Sequence, residues 1–154
     1  EGSLQRNFQG YSTNADCDMI AMGITAIGRI GDNYSQNVRT IEEYEKCLAQ
    51  GTIPVFRGIK LDDDDMLRRE IINQLMCNNL LDITAIEKKW DIDFNSYFKS
   101  SLENLEMMQQ DGLLEIEDNR LTITGSGRLL TRSICMQFDR YLQEKNNTRF
   151  SRVI

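Results

Sequence analysis

The sequence predicts an α+β fold, mainly helical, with a winged-helix-like domain preceded by the last strands of a sheet. Three observations predict it. Five of the ten glycines fall in the first 37 residues, among short strand-like runs. From Thr40 onward, apolar residues recur at helical spacing. Late in the chain, Leu113 to Ile116 and Leu121 to Ile123 alternate around Glu117-Asp118-Asn119-Arg120, a hairpin signal.

The opening segment, residues 1–37, holds two or three short strands. Such a ribbon is marginal in water, so it reads as the end of a sheet whose other strands are expected upstream of Glu1. Met19 to Ile30 is apolar, with Ala21, Gly23, Ala26 and Gly28 interleaved. Two readings fit this run. Small residues let backbone approach a ligand closely; equally, a buried strand and turn can pack tightly on a neighbour.

The rest, residues 38–154, reads as one domain. Thr40 with Glu43 three residues later makes a capping box for a helix to about Ala49, stopped by Gly51. Pro54 to Leu61 reads as an extended connector, and Pro54, lacking an amide donor, suits a sheet edge. Asp62 to Asp65 opens the next helix. Four carboxylates there favour the positive end of the helix dipole; a calcium loop would need alternating ligands and a central glycine, which the run lacks. That helix runs to about Cys77, with Leu67, Ile71 and Leu75 on one face. A short helix from Thr84 to Lys89 turns Ile83 and Ile86 inward. Asp93 caps the next, whose stripe is Phe94, Tyr97, Phe98, Leu102, Leu105 and Met108, and Gly112 ends it. After the hairpin, Thr124 caps a last helix with Leu130, Ile134, Phe138 and Tyr141 or Leu142 on one face.

Composition narrows the function. At 154 residues, 40% hydrophobic and 27% charged, the chain suits an ordinary soluble globular fold. The net charge of −6 disfavours phosphate backbones and anionic membranes as partners. A DNA-reading winged helix would place its third helix in the major groove. Here that helix carries Lys99 against Asp93, Glu103, Glu106 and Asp111, so nucleic acid is not an expected partner. No apolar run approaches the roughly 20 residues of a membrane span. The absence of histidine removes Ser-His, Cys-His and imidazole-metal chemistry. Cys17, Cys47, Cys77 and Cys135 lack C-x-x-C spacing, so they read as free, mostly buried thiols in a reducing cytosol and not as metal ligands.

Several stretches together resemble the oxygen-independent coproporphyrinogen III oxidase family, whose members are radical S-adenosylmethionine enzymes. They are Arg6-Asn7-Phe8-Gln9-Gly10-Tyr11, Gly23-Ile24-Thr25-Ala26-Ile27, Tyr34-Ser35-Gln36-Asn37, and Arg128-Leu129-Leu130 with Ile134-Cys135-Met136 and Phe138-Asp139. The ending Phe150-Ser151-Arg152-Val153-Ile154 is similar too. Each is weak alone; their order and spacing are specific, and they cover essentially the whole chain.

The resemblance implies that residues 1–37 end an incomplete α/β barrel and residues 38–154 form a helical C-terminal domain. It implies a cytoplasmic enzyme of haem biosynthesis, expected as a monomer. Its cofactors would be S-adenosylmethionine and a [4Fe–4S] cluster. Its substrate would be coproporphyrinogen III, two of whose propionates are oxidatively decarboxylated to vinyl groups, giving protoporphyrinogen IX. The family's C-x-x-x-C-x-x-C cluster motif is absent, so the ligands are expected upstream of Glu1 and the chain alone is expected to be inactive. Ile27 matches the isoleucine whose backbone borders the adenosyl group, and Gln9 a glutamine on the cofactor side. The family commonly has serine where Thr25 and Gly28 stand and glycine where Ala21 stands; this removes a hydroxyl at Gly28 but not a main-chain contact by Ile27. Arg149 and Arg152 read either as partners for substrate propionates or as part of a tail folded back on the domain. Two other functions compete: a haem-handling relative, and a free-standing winged-helix interaction module.

Overall fold

The computed structural model describes residues 4–7, 10–13 and 17–144. They fall into two compact units that part between Leu67 and Arg68. The change of composition at residues 37/38 lies inside the first unit, because strand pairing holds residues 55–60 to residues 33–37.

In the first unit, β1 (Gln5–Asn7) and β2 (Gly10–Ser12) form an antiparallel ribbon. β3 (Ile27–Ile30), β4 (Asn33–Asn37) and β5 (Val55–Lys60) form an antiparallel sheet in the order β3-β4-β5. The register runs Ile27–Gln36–Arg57 and Arg29–Tyr34–Ile59 on one face, with Gly28–Ser35–Gly58 on the other. The stretch expected as a connector is thus an edge strand. Pro54 stands just before it, where its carbonyl accepts from Val38 N at 2.9 Å and no donor is needed.

α1 (Ile41–Ala49) starts at Thr40 as expected. The Thr40 hydroxyl oxygen accepts from Glu43 N at 3.3 Å and donates to the Glu43 carboxylate at 3.1 Å. α2 (Asp63–Asn78) opens with a reciprocal cap: Asp62 Oδ1 accepts from Asp65 N at 2.8 Å, and Asp65 Oδ2 from Asp62 N at 3.2 Å. This explains the acidic run without a cation. Leu67, Ile71 and Leu75 of α2 are all buried.

The second unit joins helices to a sheet of order β6-β8-β7, built from β6 (Leu80–Asp82), β7 (Leu114–Glu117) and β8 (Arg120–Ile123). The β7–β8 turn is the tight pair Asp118 and Asn119, both left-handed at φ 49° and 56°, which suits the right-handed twist of the strands. α3 (Ile83–Trp90) is capped by Asp82, whose side chain accepts from Ala85 N, and buries Ile83 and Ile86.

Two expected single helices are broken. The stripe from Asp93 divides into α4 (Phe94–Tyr97) and α5 (Lys99–Gln110) at Phe98, whose φ −104°, ψ 24° lies outside the helix. The departure seats the Phe98 ring 4.9 Å from Phe94 and 5.6 Å from Phe138, centroid to centroid, with the Arg68 guanidinium 5.1 Å above it. Phe94, Phe98 and Leu105 are buried, but Tyr97 is exposed. The closing stretch is a 3-10 turn (Gly127–Leu130), α6 (Thr131–Met136) and α7 (Arg140–Glu144). It breaks because Asp139 Oδ1 accepts from Tyr141 N and Leu142 N, a local capping that competes with helix continuation. The Phe138 carbonyl accepts from Arg68 Nη1 at 3.1 Å instead. Ile134 and Phe138 are buried; Leu130 and Tyr141 are not. Arg149, Arg152 and the Phe150–Ile154 ending lie outside the described residues.

Gly127 packs where no side chain fits, since a Cβ there would overlap the Leu113 carbonyl oxygen; at Gly125 a Cβ meets nothing within 4 Å. Gly127→Ala is therefore expected to lower the unfolding free energy by about 1–3 kcal/mol, the usual cost of overpacking. Gly125→Ala should change it by less than about 0.5 kcal/mol. Urea denaturation of the two variants checks the pair.

Candidate functional site

The stretch before β3 is built by side chains that hold backbone. Met19 and Arg29 exchange main-chain hydrogen bonds of 2.7 and 2.8 Å. Asp18 Oδ1 accepts from Gly31 N at 2.8 Å, and Arg29 Nη2 donates to the Cys17 carbonyl at 2.8 Å. The chain next turns through Gly23 and Thr25, both left-handed, at φ 96° and 59°. Glycine accepts this without strain, but a β-branched threonine does so rarely.

Asn37 fixes that turn. It is only 3% exposed. Its amide nitrogen donates to the Gly23 carbonyl at 2.9 Å and to the Ala21 carbonyl at 3.3 Å. Its backbone N–H donates to the Ala26 carbonyl at 2.9 Å, and Thr25 N donates to the Val38 carbonyl at 2.8 Å. From α1, the Tyr44 hydroxyl accepts from Gly23 N at 2.9 Å.

Ile27 follows directly, half-buried at the start of β3 and paired with Gln36. Successive residues of an antiparallel strand point their peptide groups to opposite edges. Arg29 spends its N–H and C=O on Met19, away from β4, whereas the Ala26 carbonyl bonds β4. Ile27, two residues before Arg29, therefore turns its own N–H and C=O to the edge that β4 does not occupy. Burial pushes the Tyr34 hydroxyl on the neighbouring strand above its usual range, with the Arg29 charge opposing.

The small-residue run is only partly as expected. A Cβ on Gly28 would stand 2.9 Å from the Met19 oxygen and 3.1 Å from Ala21 N, so the close approach at that position is made by the chain itself. The rest of the run is no buried strand: β3 starts at Ile27, and Ile20 and Met22 are 76% and 84% exposed. Packing Ala21 against Gly28 turns these larger neighbours outward. Gln9, the other candidate cofactor residue, lies outside the described residues. Sequence reasoning missed Asn37 and Tyr44; an asparagine ending a strand opposite a glycine-rich turn was the available signal.

Among the described residues, no three Cys, Asp or Glu side chains converge as a metal site. The thiols are more exposed than expected: Cys17 is exposed, Cys47 and Cys77 are half-buried, and only Cys135 is buried. Burial, and secondarily Cys77, pushes the Cys135 thiol up from 9.0 to about 12. No helix among the described residues is long and apolar enough to cross a membrane.

Residues 61–130 match the family model described as HemN C-terminal domain. The oxygen-independent coproporphyrinogen III oxidase of Pseudomonas aeruginosa is 48% identical over 154 residues, which is 100% of this chain and 34% of that protein. Its counterpart from Escherichia coli is 44% identical over 155 residues, again 100% and 34%. A solved structure described as "Coproporphyrinogen III oxidase (HemN) from Escherichia coli is a Radical SAM enzyme" superposes with a TM-score of 0.87 at 43% identity, covering 91% of this chain and 32% of that one. The chain thus spans about a third of the length of the curated relatives it matches.

The thiol environments set a pH dependence. At pH 8, a thiol reagent is expected to modify Cys17 at once and Cys135 only on unfolding, read by mass spectrometry of labelled peptides. The raised Cys135 value favours the folded state fully below about pH 9 and loses that contribution as pH rises toward about 12. Replacing Cys135 with alanine should flatten this alkaline loss of stability, measured as the urea midpoint at pH 8 and pH 10.5.

Proposed function

We propose that this chain, whose residues 61–130 match the HemN C-terminal domain and whose whole length is similar to the oxygen-independent coproporphyrinogen III oxidases, is the C-terminal third of such an enzyme. The enzyme would oxidatively decarboxylate two propionates of coproporphyrinogen III to vinyl groups, giving protoporphyrinogen IX. The observation that carries this reading is the identity of 48% over 154 residues, which is 100% of this chain. Fold alone would not fix a reaction.

Residues 1–37 are assigned to the end of a radical S-adenosylmethionine barrel and residues 38–154 to the C-terminal domain. The outer edge of β3 at Ile27, two residues before the Met19–Arg29 pair, supports the first assignment, since it can meet a ligand. The strand order β6-β8-β7 and the tight β7–β8 hairpin support a winged-helix likeness for the second. Acidic residues on α5 and at the hairpin tip favour a packing role over a nucleic-acid role.

The two implied cofactors fit this chain differently. The described residues hold no convergent thiols, so they do not fit an iron–sulfur cluster. The outward peptide groups of Ile27 do fit a main-chain contact to the nucleoside of S-adenosylmethionine. That cofactor, when bound, would supply the radical that starts hydrogen abstraction from a propionate side chain. The chain's own part is to orient and to shield: Ile27 offers a donor and an acceptor from a strand edge, and the Asn37-fixed turn sets their position.

An anaerobic assay tests this reading. The longer protein that contains this chain, given S-adenosylmethionine and an electron donor, should convert coproporphyrinogen III to protoporphyrinogen IX with two carbon dioxide released per turnover; residues 1–154 alone should convert none. Tight haem binding without decarboxylation would instead favour the haem-handling relative, although a chain without histidine supplies no imidazole ligand.

A further inference from the structure

Beyond Ile27 itself, a polar row crosses the sheet behind it. Ile27, Gln36 and Arg57 are register partners on β3, β4 and β5, so their side chains share one face. Arg57 Nε donates to Gln36 Oε1 at 2.9 Å, and Gln36 Nε2 donates to the Thr25 carbonyl at 3.2 Å. The guanidinium thus fixes which way the Gln36 amide points: its oxygen toward Arg57, its nitrogen toward Thr25. Thr25 is the residue that pays the left-handed φ of 59°, two positions before Ile27. A threonine left to itself would relax from that conformation, and relaxation would rotate the peptide groups that follow.

We propose that Gln36, oriented by Arg57, is a positioning residue that clamps the Thr25 turn and so sets the Ile27 peptide for S-adenosylmethionine. This rests on the cofactor reading of Ile27 given above. The role is distinct from that of Asn37, which is buried and holds Gly23 and Ala21. Gln36 is half-buried and holds the one non-glycine residue of the turn with an unfavourable φ. The arrangement resembles the outer hydrogen-bond layer that orients a ligand-contacting group elsewhere in enzymes.

The test uses the longer protein. Gln36→Glu keeps an acceptor for Arg57 but removes the donor to Thr25. It is expected to weaken equilibrium binding of S-adenosylmethionine by about 10-fold, the order of one hydrogen bond to a strained turn. The KM for coproporphyrinogen III should stay within about twofold, since uniform damage would move both. In the cofactor-free protein, amide hydrogen exchange at residues 24–27 should speed up while that of β5 does not. Adding Thr25→Asn should restore most of the affinity, because asparagine adopts the left-handed region several-fold more readily. Arg57→Ala, at the exposed end of the row, should give a smaller loss of the same kind. Unchanged cofactor affinity in both Gln36→Glu and Arg57→Ala overturns the proposal alone. A wild-type protein that binds no S-adenosylmethionine at all overturns the cofactor reading and the proposal with it.

Discussion

The buried amide of Asn37 is the constraint on which the candidate site depends. A side-chain amide at 3% exposure must find partners, because an unsatisfied buried donor costs about 1–3 kcal/mol. Here both recorded bonds go to carbonyls of a single turn, Ala21 and Gly23, and the backbone of the same residue holds Ala26. Satisfying one side chain therefore fixes the path of the turn into β3. From that path follow the Met19–Arg29 exchange, the crowding at Gly28 and the outward peptide groups of Ile27. A site built this way is a property of the sheet and not of a loose loop, which suits a contact made by main chain.

The second unit has a different organising contact. Arg68 covers the Phe98 ring and bonds the Phe138 carbonyl, and Phe94, Phe98 and Phe138 pack tilted and edge-on against one another. This accounts for the first helix break: at Phe98, backbone leaves helical geometry so that an aromatic side chain can enter the core. At the second, the Asp139 cap stops the helix beside the buried Phe138 ring. Packing outweighs the local preference for a continuous helix, which is worth only tenths of a kcal/mol per residue.

Much of this was legible in the sequence. The caps at Thr40, Asp62 and Asp93, the stripe Leu67-Ile71-Leu75 and the hairpin around Asp118-Asn119 all follow from local rules, and each is observed. What was not legible depends on contacts distant in sequence. Periodicity could not show that Phe98 interrupts its helix, because the cause is Phe138, forty positions away. Nor could it show that Ile20 and Met22 face outward, because that depends on Ala21 meeting Gly28. The same limit explains the site. Ile27, Gln36 and Asn37 all lie in motifs of the resemblance, but what Gln36 and Asn37 hold appears only once β4 lies beside β3.

The central claim is that the outer edge of β3 meets S-adenosylmethionine in the longer protein. Amide hydrogen exchange, followed with and without that cofactor, tests it most directly. The expected result is slowed exchange at the Ile27 amide on cofactor addition, with β5 and the second unit unchanged. Exchange at Ile27 that is indifferent to a cofactor shown to be bound would contradict the account.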